Sequence, residues 1–229
     1  MEFITKAKVR IHYEVLGQGR PLVFFHGNGE DHHIFEETAR LLAEEYTVYL
    51  PDSRCHGESE RTETVGYREI AADFLSLIQG LHLEKPVLCG FSDGGIVALL
   101  IAIAKPALPS ALIVCGANST PGGLKRRFRA FFRLQWKLTK NPLLGMMLKE
   151  PRISPAALAK IQAPTLVLAG SRDIIRQSHT EKLAAAIPGS RLGILFGETH
   201  ASYVVHTEKL YGLLKNFLDE LSALDNPEA

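Results

Sequence analysis

Short apolar runs alternate along the chain with stretches in which apolar residues recur every three or four positions, the pattern of buried strands interleaved with amphipathic helices. Lys8–Leu16 and Pro21–Phe25 read as strands about the turn Gly17-Gln18-Gly19, a hairpin opening. Ile34–Glu44 carries Phe35, Ala39 and Leu42 at helical spacing, and Thr47–Leu50 is again strand-like. Tyr67–Leu81 then predicts a helix, Pro86–Cys89 a strand, Gly94–Ala104 a helix and Ala111–Cys115 a strand. Thr165–Ala169 and Arg191–Phe196 are two further strands, separated by a helix around Glu181–Ala186 and followed by one over Tyr203–Leu221. Such alternation predicts an α/β fold, a mainly parallel twisted sheet with helices on both faces.

The alternation breaks between Asn118 and Ile161, which predicts a short helical cap inserted into the sheet domain. The expected division is a core of residues 1–117 and 162–229 and a small cap of residues 118–161. Within the cap, Leu124, Phe128, Phe131, Gln135 and Leu138 fall near one helical face, with Phe132 and Trp136 adjoining it. Asn141-Pro142 and Glu150-Pro151 punctuate it into short helices.

Charge sharpens this contrast. Pro121 to Lys149 holds eight basic residues and no acidic ones, while the whole chain of 229 residues carries only +1, so the remainder stands at −7. We read the cap as a lid whose apolar face roofs a site, ahead of a surface that attracts anionic substrate or lipid, or a plain solvated face. No recognised module accompanies the basic stretch, so no nucleic-acid partner is expected. The composition, 46% hydrophobic and 22% charged, is that of a soluble globular protein, and no apolar stretch approaches membrane-spanning length. The expected location is the cytoplasm. Cys55, Cys89 and Cys115 cannot all pair within the chain and read as structural thiols. No CxxC or HExxH motif points to a metal, and no cofactor is expected.

The chemistry concentrates at Gly90-Phe91-Ser92-Asp93-Gly94, between a strand and a helix. This spacing is that of a nucleophile elbow, a sharp turn that exposes the Ser92 hydroxyl at the positive end of the following helix. A serine hydroxyl is a weak nucleophile near neutral pH and requires a base, itself held in the right tautomer by a third group. His200, after the last strand, and Asp173, after the strand before it, lie at carboxyl ends of strands, where open α/β sheets gather their ligands. His26 and His56 belong to glycine turns and brace loops, and Asp52 with Arg54 reads as an internal ion pair.

With these motifs in order, the sequence resembles the α/β-hydrolase family over nearly its whole length outside the cap. The resemblance rests on His26-Gly27-Asn28-Gly29, Asp52-Ser53-Arg54-Cys55-His56-Gly57-Glu58-Ser59, the Ser92 elbow and the Asp173/His200 pair. Phe91-Ser92-Asp93-Gly94-Gly95-Ile96 and Gly116-Ala117-Asn118 are similar to the valacyclovirase-like branch. The resemblance implies a triad of Ser92, Asp173 and His200, with an oxyanion hole from the backbone N–H groups of Asn28 and Asp93. It implies a serine hydrolase acting on a small or medium carboxylic ester, including an amino ester or lactone, through an acyl-enzyme. C–C cleavage, elimination and perhydrolysis share the same frame, and a ligand receptor on the same fold is the reading from another class. The Asp93 carboxylate has two readings, an amine-binding group beside the acyl pocket or a helix N-cap.

Overall fold

The computed structural model describes residues 1–225; residues 226–229, the end of the expected core segment, lie outside the described residues. The elements are β1 (Glu2–Ile4), β2 (Arg10–Leu16), β3 (Arg20–Phe25), α1 (Glu36–Leu42), β4 (Tyr46–Pro51), α2 (Tyr67–Gly80), β5 (Val87–Phe91), α3 (Asp93–Ala104) and β6 (Ala111–Cys115). They continue as α4 (Arg126–Thr139), α5 (Pro142–Lys149), α6 (Pro155–Leu158), β7 (Thr165–Gly170), α7 (Gln177–Ala185), β8 (Arg191–Leu195) and α8 (Lys209–Asp225). The strands form one eight-stranded sheet in the order β1-β2-β4-β3-β5-β6-β7-β8, parallel from β4 onward and antiparallel at β1 and β2.

Both faces of the sheet are covered, which is why its central strands read as unbroken apolar runs. Along β3, Val23 and Phe25 enter one core with Phe74 of α2 and Leu99 of α3, while Leu22 and Phe24 enter the other with Leu42 of α1 and Leu214 of α8. Successive strand side chains point to opposite faces, so one strand feeds both cores. On α2, Tyr67, Ile70, Ala71, Phe74, Leu77 and Ile78 make the buried stripe. Nine of the twelve residues of α3 are buried, and its sequence is correspondingly apolar all round.

Four local expectations are corrected. Arg10–Leu16 and Arg20–Phe25 do not form a hairpin, because β4 lies between them, antiparallel to β2 and parallel to β3. β4 buries Tyr46, Val48 and Leu50, and a strand this apolar gains most by pairing on both edges. The last helix starts at Lys209 rather than Tyr203: His206 adopts φ +49°, which helices exclude, and Thr207 Oγ1 accepts the Lys209 N–H. Arg54 pairs with Asp73 of α2, not Asp52, through a bidentate contact of 2.6 and 2.8 Å, while Asp52 accepts from His32. Finally, the apolar stripe of α4 does not all face inward. Phe131, Leu134 and Leu138 are 54%, 57% and 77% exposed, while Phe128, Phe132 and Trp136 are half-buried.

Candidate active site

Ser92 sits between β5 and α3 with φ +53° and ψ −113°, a strained conformation for a residue with a side chain. The surrounding packing holds it there. Its N–H donates to the Cys115 carbonyl at 2.7 Å, and a Cβ on Gly94 would fall 1.9 Å from the Phe25 carbonyl oxygen, so only glycine lets α3 close on β3. The corner thus aims the hydroxyl away from the sheet rim.

Asp173 and His200 arrive on neighbouring loops after β7 and β8. These loops are stitched together by Arg172 N–H to the Glu198 carbonyl and Gly197 N–H to Ser171 Oγ, each 2.9 Å. Asp173 is buried, and its Oδ1 accepts from the Ile175 N–H at 2.8 Å and from His200 Nδ1 at 2.8 Å. A carboxylate only accepts, so the proton of this imidazole belongs on Nδ1 and the Nε2 lone pair faces Ser92 Oγ, 3.0 Å away. Gly116, at φ +61°, leaves room for the ring: a Cβ there would meet His200 Cε1 at 2.9 Å. A hydroxyl, an imidazole and a carboxylate in this sequence of contacts can move the serine proton to Nε2 as the oxygen attacks an electrophile.

Asn28 and Asp93, the other two expected residues, meet directly. Asn28 Nδ2 donates to Asp93 Oδ2 at 2.8 Å, and the Tyr67 hydroxyl donates to Asp93 Oδ1 at 2.7 Å. The Asp93 side chain therefore does not cap α3. Burial raises its pKa, against hydrogen bonds from Tyr67 and Asn28 that favour the charged form. The main-chain N–H groups of Asn28 and Asp93 donate no hydrogen bond among the described residues.

Residues 22–211 match the profile of the alpha/beta hydrolase family. The chain belongs to that family. An sn-1-specific diacylglycerol lipase of Danio rerio is 31% identical over 56% of this chain, which spans only 42% of that relative. The serine hydrolase BPHL of Mus musculus is 24% identical, over 94% of this chain and 87% of its own. Among solved structures, an esterase from Exiguobacterium antarcticum superposes with a TM-score of 0.83 at 23% identity, covering 96% of this chain and 99% of the other, which establishes a shared fold. No helix among the described residues of this alpha/beta hydrolase is long and apolar enough to cross a membrane.

Three contacts around the site had no expectation. Glu30 folds back so that its Oε2 accepts the Gly27 N–H at 3.1 Å; burial raises its pKa to about 6, partly offset by that bond. Its position three residues after Gly27 is the one local signal. Tyr67 begins a helix far along the chain, and nothing in the sequence connects it to Asp93. The Leu143 carbonyl of α5, which accepts from Asn28 Nδ2 at 3.4 Å, is likewise visible only in three dimensions. Cavity size does not locate this site: a cavity of about 610 Å³ lies at the opposite rim, lined by strand starts such as Arg20, Tyr46, Val87 and Ala111.

Proposed function

We propose that this alpha/beta hydrolase cleaves small or medium carboxylic esters or lactones through an acyl-enzyme on Ser92. The observation that carries the reading is the unbroken run of contacts from Ser92 Oγ through His200 to Asp173, at 3.0 and 2.8 Å. In acylation, Ser92 Oγ attacks the ester carbonyl as its proton passes to His200 Nε2. The backbone N–H groups of Asn28 and Asp93 bind the oxygen that becomes negative, and losing one such donor costs about 10²–10³ in turnover. His200 returns the proton to the departing alkoxide, giving a free alcohol. A water then gives its proton to the same nitrogen, attacks the acyl carbon and releases the acid with Ser92 regenerated.

The residues 118–161 form the cap of this reading, and the Asn28–Leu143 contact supports α5 as part of its roof. Three buried, unpaired thiols fit a reducing cytoplasm. Substrate choice enters at Asp93, a residue only 7% exposed whose carboxylate is met by two neutral donors. Among the described residues no lysine or arginine pairs with that charge, which favours esters whose acyl part carries an amine.

A fluorophosphonate probe and a series of p-nitrophenyl esters test the proposal. Wild type is expected to label at one serine and turn over, and Ser92→Ala to lose labelling and fall by at least about 10³ in kcat with its melting temperature retained. Turnover surviving in Ser92→Ala, or tight ligand binding by an unlabelled wild type, overturns it. For Asp93, the ratio of kcat/KM for an amino ester over its des-amino analogue should fall in Asp93→Asn; an unchanged ratio removes the amine role alone.

A further inference from the structure

At the edge of the sheet, away from Ser92, His12 and Glu14 stand two apart on β2 and therefore on one face of that strand, and His32 follows β3 in the short turn that leads to α1. One ligand-type atom from each of the three lies within 4.8 Å of the others. His32 is only 3% exposed. Its Nδ1 is 2.9 Å from Asp52 Oδ1, a fully buried carboxylate that also accepts the His32 main-chain N–H, so the ring proton is held on Nδ1. That leaves Nε2, which is buried without a hydrogen-bond partner among the described residues and lies 3.6 Å from Glu14 Oε1. His12 Nδ1 is 3.7 Å from Glu58 Oε2, beyond hydrogen-bond length, and its Nε2 is likewise buried with no hydrogen-bond partner among the described residues.

We propose that His12, Glu14 and His32 form a binding site for a divalent transition metal of the zinc class. Both imidazoles leave Nε2 unused, and His32 has the Asp52 carboxylate bonded behind Nδ1, the outer-shell arrangement that orients a metal-binding histidine and raises its basicity. A tetrahedral ion with bonds of about 2.0–2.1 Å holds its donors roughly 3.4 Å apart, close to the 3.6 Å between His32 Nε2 and Glu14 Oε1. The Glu14 side chain is half exposed and lines, with His32, His33 and Glu36, an open cleft of about 510 Å³, which gives the ion an entry path and a water for the fourth position. His33 is a poorer ligand for the same ion: it is largely exposed, and its Nδ1 is 3.1 Å from its own neighbour Asp31. The site needs no helical motif, because two ligands come from strand spacing and the third from another element. A bound ion would clamp β2 to the segment that starts at Asn28, four residues before His32, and so act as a structural brace.

The test uses untagged full-length protein, Co(II) for its visible absorption and Zn(II) in competition with a chromophoric chelator. Wild type should bind one equivalent of either ion, give the intense Co(II) bands of a four-coordinate site, and melt at a higher temperature with one equivalent of zinc. Glu14→Gln, at an exposed position that cannot disturb the core, and His12→Gln should each weaken binding at least tenfold and abolish the thermal shift. Glu58→Gln should weaken it less, and His33→Gln should leave it unchanged. Absence of a stoichiometric site in wild type overturns the proposal and leaves His32 as a buried partner of Asp52. So does binding that survives in both Glu14→Gln and His12→Gln, or binding lost in His33→Gln.

Discussion

α3 and α4 are helices of similar length with opposite relations to the rest of the molecule. α3 buries nine residues, between the sheet and α2, whereas no residue of α4 is buried and its sequence carries five arginines and lysines. The first fixes the corner at which Ser92 is held. The second lies outside both cores, and its outward Phe131, Leu134 and Leu138 show that an amphipathic sequence can leave apolar residues in water when too little protein lies opposite. The difference separates what the fold requires from what the fold permits: changes in α3 should register in stability, and changes at the outward positions of α4 should not.

The sharpest way to break this contrast is to truncate matched leucines. Leu99→Ala, at a fully buried position of α3, should cost about 2–5 kcal/mol in urea unfolding, and comparable loss from Leu138→Ala would refute the division. Titration extends the contrast to charge. Burial beside His56 lowers the pKa of His26 from 6.5 to about 4, so between these values the unfolded chain takes up a proton that the folded chain refuses. His26 therefore contributes stability above pH 6.5 that is lost as pH falls toward 4. Relative to His26→Asn, the wild type should lose on the order of 3 kcal/mol across that window; parallel stability curves would contradict it. Tyr67→Phe, which removes one donor from the buried Asp93 carboxylate, should cost about 2 kcal/mol and lower kcat, read by thermal melts and ester turnover. Leu138→Ser should be the smallest effect, within about 0.5 kcal/mol.

The order of elements and the meeting of Ser92, Asp173 and His200 were legible in the sequence because each depends on local signals. Ala111–Cys115 is a strand at the residues expected, since an apolar run bounded by Ser110 and Gly116 leaves little choice. Ser92, Asp173 and His200 were legible because each follows a strand in the family's order, and membership of the alpha/beta hydrolase family is borne out. Strand order was not, because no local pattern says that β4 enters between β2 and β3. The partner of Arg54 was missed for a related reason: Asp52 is near in sequence, but Asp73 is reached only once α2 has packed. The periodicity of α4 identified an apolar face without specifying which side meets protein. The Asp93, Asn28 and Tyr67 contacts, and the His12, Glu14 and His32 cluster, likewise exist only after distant elements assemble.

Cys55, Cys89 and Cys115 are all buried and unpaired, and burial pushes the Cys89 thiol well above its ordinary pKa. A thiol-directed reagent attacks only thiolate it can reach. In the native protein the rate at which dithionitrobenzoate colours Cys89 and Cys115, both in central strands, should consequently be set by opening of the sheet rather than by the reagent, so that these two silent cysteines serve as a built-in clock for unfolding.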